Sequence, residues 1–164
     1  MVPDAGGLGW FDFLLPQARL LLACCSPPVL SRWPRRMRAL PMQFEVRTEG
    51  LAQACGNDCR AWIFASGAIT SDTPRKFEAF AKKNKLDGAT IALYSDGGSV
   101  LGALALGRAI RKLGMTTTVG KTIDLNATDN GRKRGKLQPR AYCESICAFV
   151  LLAGVERRVP AEAR

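Results

Sequence analysis

The sequence predicts an α/β domain with a mainly parallel sheet and crossover helices, and three observations carry that prediction. From residue 60 onward, strand-like runs and helix-period runs follow one another in alternation. The helix-period runs carry their own start and stop signals. An apolar strand feeds a helix through the tight turn "SDGG" (95–98), as the loops at the carboxyl ends of strands do in such sheets.

Taken in order, "MQFEVR" (42–47) alternates apolar and polar residues, the period of a half-buried strand. "RAWIFASGAI" (60–69) is rich in β-branched and aromatic residues and reads as a second strand, broken at Gly67. In "SDTPRKFEAFAKKN" Thr73 reads as the N-cap and Pro74 as the first helical residue. Phe77, Phe80 and Ala81 share one face there, and Lys82, Lys83 and Lys85 crowd the end where the helix dipole favours cations.

"ATIALYSDGG" (89–98) is a continuous apolar strand entering its turn, and a helix over 99–114 follows. Leu101, Leu104, Ala105 and Ala109 recur at helical spacing, and Gly114 is a natural C′ residue. "MTTTVG" (115–120) is a short strand, whereas 121–140 has no periodicity and reads as a loop. "SICAFVLLAG" (145–154) is apolar on every face and predicts a buried helix, and "VERRVP" (155–160) begins another strand.

The net charge is +10, and it is unevenly placed. The first 38 residues hold five Arg against two Asp, and "GRKRGKLQPR" (131–140) adds five basic residues and no acid. The rest is nearly neutral. The basicity therefore reads as a tail and a solvated loop, and nucleic acid is the lesser expectation for 131–140. Residues 1–40 read as a poorly ordered segment, a defective signal or the product of a mis-assigned start near Met37 or Met42. Residues 41–164 read as the folded domain. No run approaches the roughly 18 apolar residues of a membrane span.

Six cysteines fall as Cys24–Cys25, Cys55–Cys59 and Cys143–Cys147. The turn chemistry of "CGNDC" suits a local Cys55–Cys59 disulfide in an oxidising compartment. Cys143 and Cys147, if both on one helix, would make a strained disulfide, so buried thiols are expected there. The two C-x3-C pairs are far apart and no histidine assists them, so neither a metal nor a cofactor is expected.

Two phosphate motifs fail on spacing. "GMTTTVGKT" (114–122) has five residues between its glycines where a P-loop has four, and "DGGSVLG" lacks G-x-G-x-x-G spacing. The Gly97–Gly98 pair reads first as a tight turn, and Ser145 reads first as a helix cap. Their functional reading is sharper. A turn near a helix N-terminus leaves N–H donors for an oxyanion, and a serine at a helix start is a nucleophile position. The G-x-S-x-G elbow is absent.

In this order, "SDGGSV" with a helix behind it, "TTTVG" and "ESICAFVLLAGVERRVP" resemble the core of the Clp protease proteolytic subunit and its crotonase-like relatives, over roughly residues 60–164. The resemblance implies an oxyanion hole at Gly97 and Gly98, a second backbone donor at Ile146, and Ser145 as nucleophile. It implies a peptide or acyl substrate and, from the habit of the superfamily, a homo-oligomer. The Cys-x-Ser-x-Cys setting is similar to an often secreted bacterial branch, which implies a periplasmic or secreted location; the poor N-terminal signal leaves the cytoplasm open.

One departure is serious. In those proteases the catalytic histidine lies beyond the strand that here begins at Val155, and this chain holds no histidine. The expectation is a domain incomplete at its C-terminus, serine-peptidase-like but lacking its base, with little or no hydrolysis alone. Lys121 and Lys136 are the candidates for a Ser–Lys arrangement, and nothing in the sequence brings either near Ser145. The alternative is a non-catalytic oligomerisation or interaction module of the same fold.

Overall fold

The computed structural model describes residues 38–51, 59–129 and 131–164. The expectations for residues 1–37 and for Cys55 lie outside the described residues. Strands β1 (Gln43–Glu49), β2 (Ala61–Ser66), β3 (Thr90–Tyr94), β4 (Thr116–Val119), β5 (Lys121–Asp129), β6 (Arg132–Gln138) and β7 (Glu156–Arg158) form one sheet. Its order is β5-β6-β1-β2-β3-β4-β7. The run β2, β3, β4, β7 is parallel throughout, as is β6 beside β1. The β1–β2 and β5–β6 pairs are antiparallel. The expected mixed α/β architecture with a mostly parallel sheet is therefore present.

Strand β2 shows why its sequence reads as unbroken apolar. Side chains alternate between the two faces of a strand. Ile63 and Ala65 enter one core with Met42, Phe77, Leu93, Leu106 and Val150. Trp62 and Phe64 enter a second core with Tyr94 and Val119. Both faces are covered, so no polar position is left between them.

Helix α1 (Thr73–Asn84) keeps the expected face, with Phe77 and Ala81 buried, and Phe44 lies 5.2 Å from Phe77 ring to ring. Its start differs from expectation. Asp72 holds the N-cap position, and Thr73, wholly buried, turns its Oγ1 back to accept the Thr70 N–H at 2.8 Å. A forward cap would have required that hydroxyl at the exposed helix mouth.

Helix α2 (Val100–Lys112) is capped by Ser99, whose Oγ accepts the Gly102 N–H at 3.1 Å. The helical spacing noted in the sequence marks the inner face only in part: Leu101 and Leu104 are exposed, Ala109 packs against the core, and Gly102, Ala103, Leu106, Gly107 and Ile110 face inward. Close approach selects small residues on this face. A Cβ on Gly102 would collide with the Thr70 carbonyl, and one on Gly107 would lie 2.9 Å from the Ala153 Cβ. Gly114 holds φ 63° after the helix, matching the expected C′ role.

The expected loop over 121–140 is instead the β5–β6 hairpin, and the basic run 131–140 lies largely on β6. The hairpin starts beside β4 at Lys121 and reaches β1 at Lys133, so it crosses the second face of the sheet. Trp62 Nε1 donates to Thr122 Oγ1 at 2.9 Å, and Leu137 sits against Gly120. Arg47 of β1, 6% exposed, pairs with Glu45 and with Asp124 at 2.8 Å, and Lys133 reaches Glu45 at 3.1 Å. Ion pairs, one indole bond and Leu137 anchor this hairpin, while the alternating Ile123 and Leu125 stay exposed. Hydrophobic periodicity is blind to such anchors.

Helix α3 is shorter than expected, Cys147–Leu152. Cys147 and Val150 point into the core, but Phe149 and Leu152 are exposed at 55% and 60%, so the helix is not buried on every face. The Thr117 hydroxyl donates to the Leu151 carbonyl at 2.6 Å and ties the helix end to β4. Among the described residues no helix is long and apolar enough to cross a membrane.

Candidate functional site

The carboxyl end of β3 is where two turns converge. Ser95, fully buried, continues β3 and receives the segment 142–144 alongside it. The Ser95 N–H donates to the Tyr142 carbonyl at 3.0 Å, and the Glu144 N–H donates to the Ser95 carbonyl at 2.9 Å. Chain on either side of this junction then forms two turns, Asp96–Gly98, expected from the sequence, and Glu144–Ile146, where the sequence predicted a helix start.

Gly97 and Ser145 are in direct contact. A Cβ on Gly97 would lie 2.9 Å from the Ser145 Cβ, 3.0 Å from the Glu144 carbonyl and 3.2 Å from the Ile146 nitrogen. Gly97 and Gly98 hold φ 94° and 138°, the region that glycine enters at least cost. Ser145 itself holds φ 54°, uncommon for a residue with a Cβ. It therefore lies in the turn ahead of α3 and is exposed, and Ile146 holds the N-cap position. Ser145 is not the helix cap.

The three backbone donors singled out beside Ser145 are not equivalent. The Gly97 N–H donates to the buried Ser95 Oγ at 3.1 Å and is engaged inside its own loop. Gly98 is held by its neighbours: the Ile69 N–H donates to the Gly97 carbonyl at 2.8 Å, and the Ser99 N–H to the Ile69 carbonyl at 2.7 Å. Among the described residues the N–H groups of Gly98 and Ile146 themselves meet no acceptor.

Cys143 and Cys147 form a disulfide, with Cα atoms 5.2 Å apart, which overturns the expectation of free thiols. That expectation assumed both cysteines on one helix. Cys143 instead lies in the bridge to Ser95, and the left-handed Ser145 turn brings the chain back to Cys147. Cys59 is also disulfide-bonded.

Charged and aromatic groups that the sequence reading passed over surround the junction. Arg38 ion-pairs with Asp96 and lies 3.9 Å from Glu144, joining the residue before Gly97 to the residue before Ser145. Its guanidinium lies over the Tyr142 ring at 4.6 Å and the Tyr94 ring at 5.4 Å. Arg38 falls in the segment expected to be poorly ordered, and no local pattern marks it. Burial pushes the Tyr94 phenol up and the Arg38 charge only partly offsets this, so Tyr94 stays protonated at neutral pH.

Lys121 lies with its Nζ 5.9 Å from the Tyr94 ring centroid, and Lys136 sits on β6, three strand positions from β3. No contact joins either to Ser145 among the described residues. No cluster of three or more His, Cys, Asp or Glu able to hold a metal occurs among the described residues. In comparisons with known proteins, no family model, no curated protein and no solved structure matches this chain.

Proposed function

We propose that this chain is a Clp-protease-like, crotonase-like domain whose two turns form a pocket for the carbonyl of a peptide or acyl group. The observation that carries this reading is the contact of Gly97 with Ser145, with unengaged N–H groups at Gly98 and Ile146 on either side. Two such donors stabilise negative charge developing on a carbonyl oxygen. Gly97 makes room for the serine, and Gly98 and Ile146 supply the donors.

None of the 164 residues is a histidine. A serine hydroxyl with no base to take its proton is a poor nucleophile at neutral pH. The activity expected of these residues is therefore binding and polarisation of a carbonyl, with little turnover. A peptide boronic acid, which becomes tetrahedral and anionic on a serine oxygen, tests this. Saturable binding lost in Ser145→Ala supports the reading, and identical behaviour of wild type and Ser145→Ala defeats it.

A second reading, an assembly module of the same fold, is favoured by Leu101, Phe149 and Leu152, exposed on α2 and α3. A monodisperse oligomer in sedimentation velocity that reverts to monomer in Leu101→Ser/Phe149→Ser supports it. A wild-type monomer at every concentration rules it out.

A further inference from the structure

We propose that the Cys143–Cys147 disulfide is what holds the Ser145 turn in its pocket-forming shape, and that its reduction switches the site off. The proposal rests on the oxyanion reading above for its functional consequence. Its structural part stands on the turn alone.

The disulfide closes a ring around Glu144, Ser145 and Ile146, and so encloses both the candidate hydroxyl and one of the two unengaged N–H groups. The two ends of the ring are fixed differently. Cys143 is bridged to Ser95, and its N–H donates to the Arg164 carbonyl at 2.7 Å. Cys147 is the first residue of α3 and fully buried.

Between these anchors the carbonyls of Glu144, Ser145 and Ile146 all accept from the first turn of α3, Ile146 from the Phe149 N–H at 3.1 Å, whereas the Ser145 and Ile146 N–H groups meet no acceptor among the described residues. The Cys147 N–H donates to the Glu144 carbonyl at 3.1 Å, and the Ala148 N–H to the Ser145 carbonyl at 3.2 Å. Ser145 sits at φ 54°, which a residue with a Cβ leaves when it is free to do so. Opening the disulfide leaves the bonds of Ser95 to Tyr142 and Glu144 in place. Relaxation is then confined to Ser145 and Ile146, and it moves the Ile146 N–H from its place beside Gly97.

A dithiol supplies the chemistry. Its thiolate attacks the sulfur of Cys143, the partly exposed partner. The S–S bond breaks, and Cys147 leaves as a thiolate that takes up a proton. The second thiol of the reductant closes the reductant's own disulfide and releases Cys143 as a thiol. Two electrons and two protons pass from the dithiol to the protein.

The test is amide hydrogen exchange by NMR on the full chain, with and without dithiothreitol, together with peptide boronate titration. Because Cys59 is also disulfide-bonded, a Cys143→Ser/Cys147→Ser variant isolates the ring. Expected in both the reduced wild type and the variant are about tenfold faster exchange at Ala148, whose N–H donates to the Ser145 carbonyl, and about tenfold weaker boronate binding. Amides of β3 and α2 keep their exchange rates, showing that the fold is intact. Unchanged exchange at Ala148 in the reduced wild type overturns the proposal, whatever the variant does. Redox-dependent exchange with no boronate binding in either state upholds the disulfide's role and defeats the oxyanion reading instead.

Discussion

Gly97 bears directly on Ser145 across the end of β3, with no room for a side chain between them. Two turns that lie 48 positions apart in sequence are thereby made one site. The contact is set by backbone, since Ser95 bonds to Tyr142 and Glu144 on one side of it and holds Gly97 on the other.

Replacing Gly97 with alanine tests that contact. The new methyl would meet the Ser145 Cβ at 2.9 Å and the Glu144 carbonyl at 3.0 Å, at a φ of 94° that disfavours any Cβ. Together these cost about 2–4 kcal/mol. Urea denaturation of Gly97→Ala reports that loss, and boronate titration reports the displaced turn. An alanine variant as stable as wild type, with unchanged boronate affinity, would mean that the turns do not share a pocket.

The site and the fold were legible to different depths. The Gly-Gly turn stood out because positive φ selects glycine, and such selection is local; Ser145 stood out only from its place at the head of an apolar run, as a cap that it is not. The disulfide and Arg38 did not stand out. Cys143 and Cys147 meet only because Ser145 reverses the chain, and Arg38 reaches Asp96 and Tyr142 through tertiary packing alone. The same limit explains the hairpin. In "KTIDLNATD" the alternating Ile123 and Leu125 face solvent, and the hairpin is anchored from its polar positions, Trp62 to Thr122 and Arg47 to Asp124, which no local pattern marks. Helices α2 and α3 failed in the opposite sense, since leucine and phenylalanine counted as core are exposed while glycine and alanine line the contact.

The hairpin's hold on the sheet is measurable at Thr122. Valine is close to isosteric with threonine but accepts no hydrogen bond, so Thr122→Val leaves the Trp62 indole N–H buried without its acceptor. A buried donor stripped of its partner costs about 1–3 kcal/mol. The urea midpoint should fall accordingly, and Trp62 fluorescence should shift as water reaches the indole. No change in either would show that the indole bond contributes nothing to docking the hairpin.

Acid should destabilise the fold through carboxylates that ion pairs hold ionised, among them Glu45, Asp124 and Asp72. Burial pulls the Glu45 carboxyl up, but the bonds from Lys133 and Arg47 outweigh it and its pKa is lowered. Asp124 is lowered, first by its bond to Arg47, then by the Asn126 N–H. Asp72 is lowered from 3.8 to about 2 by Lys76 and Thr70. Each group is ionised in the folded protein where the unfolded chain has begun to protonate. The unfolded state therefore binds more protons in that interval, and stability rises with pH across it. This stabilisation is complete above the ordinary carboxylate range and is lost as pH falls through the lowered values. For Asp72 that window runs from about 4 down to about 2. Urea midpoints measured against pH should fall less steeply in Asp72→Asn and Asp124→Asn than in wild type. Identical slopes would remove these groups from the acid response.

Helix α2 offers a direct contest between its two leucine stripes. Leu101 and Leu104 are 77% and 40% exposed, whereas Leu106 is wholly buried between helix and sheet. Truncating a buried leucine removes its transfer free energy and leaves a cavity, so Leu106→Ala should cost about 2–5 kcal/mol. Leu101→Ala removes a side chain that already meets water, and its effect should stay within about 0.5 kcal/mol. The small residues add a third arm. Gly102→Ala drives a methyl into the Thr70 carbonyl, which lies on backbone and cannot swing aside, so the start of α2 must lift from the connection between β2 and α1 at a cost of about 1–3 kcal/mol. Because Ser99 caps this helix directly after Gly98, lifting it also disturbs the oxyanion turn. Boronate affinity should consequently fall in Gly102→Ala and stay unchanged in Leu101→Ala. If Leu101→Ala proves the more destabilising of the three, the buried face of α2 is the one that sequence periodicity alone would have chosen, and the placement of the Gly97–Gly98 turn against Ser145 fails with it.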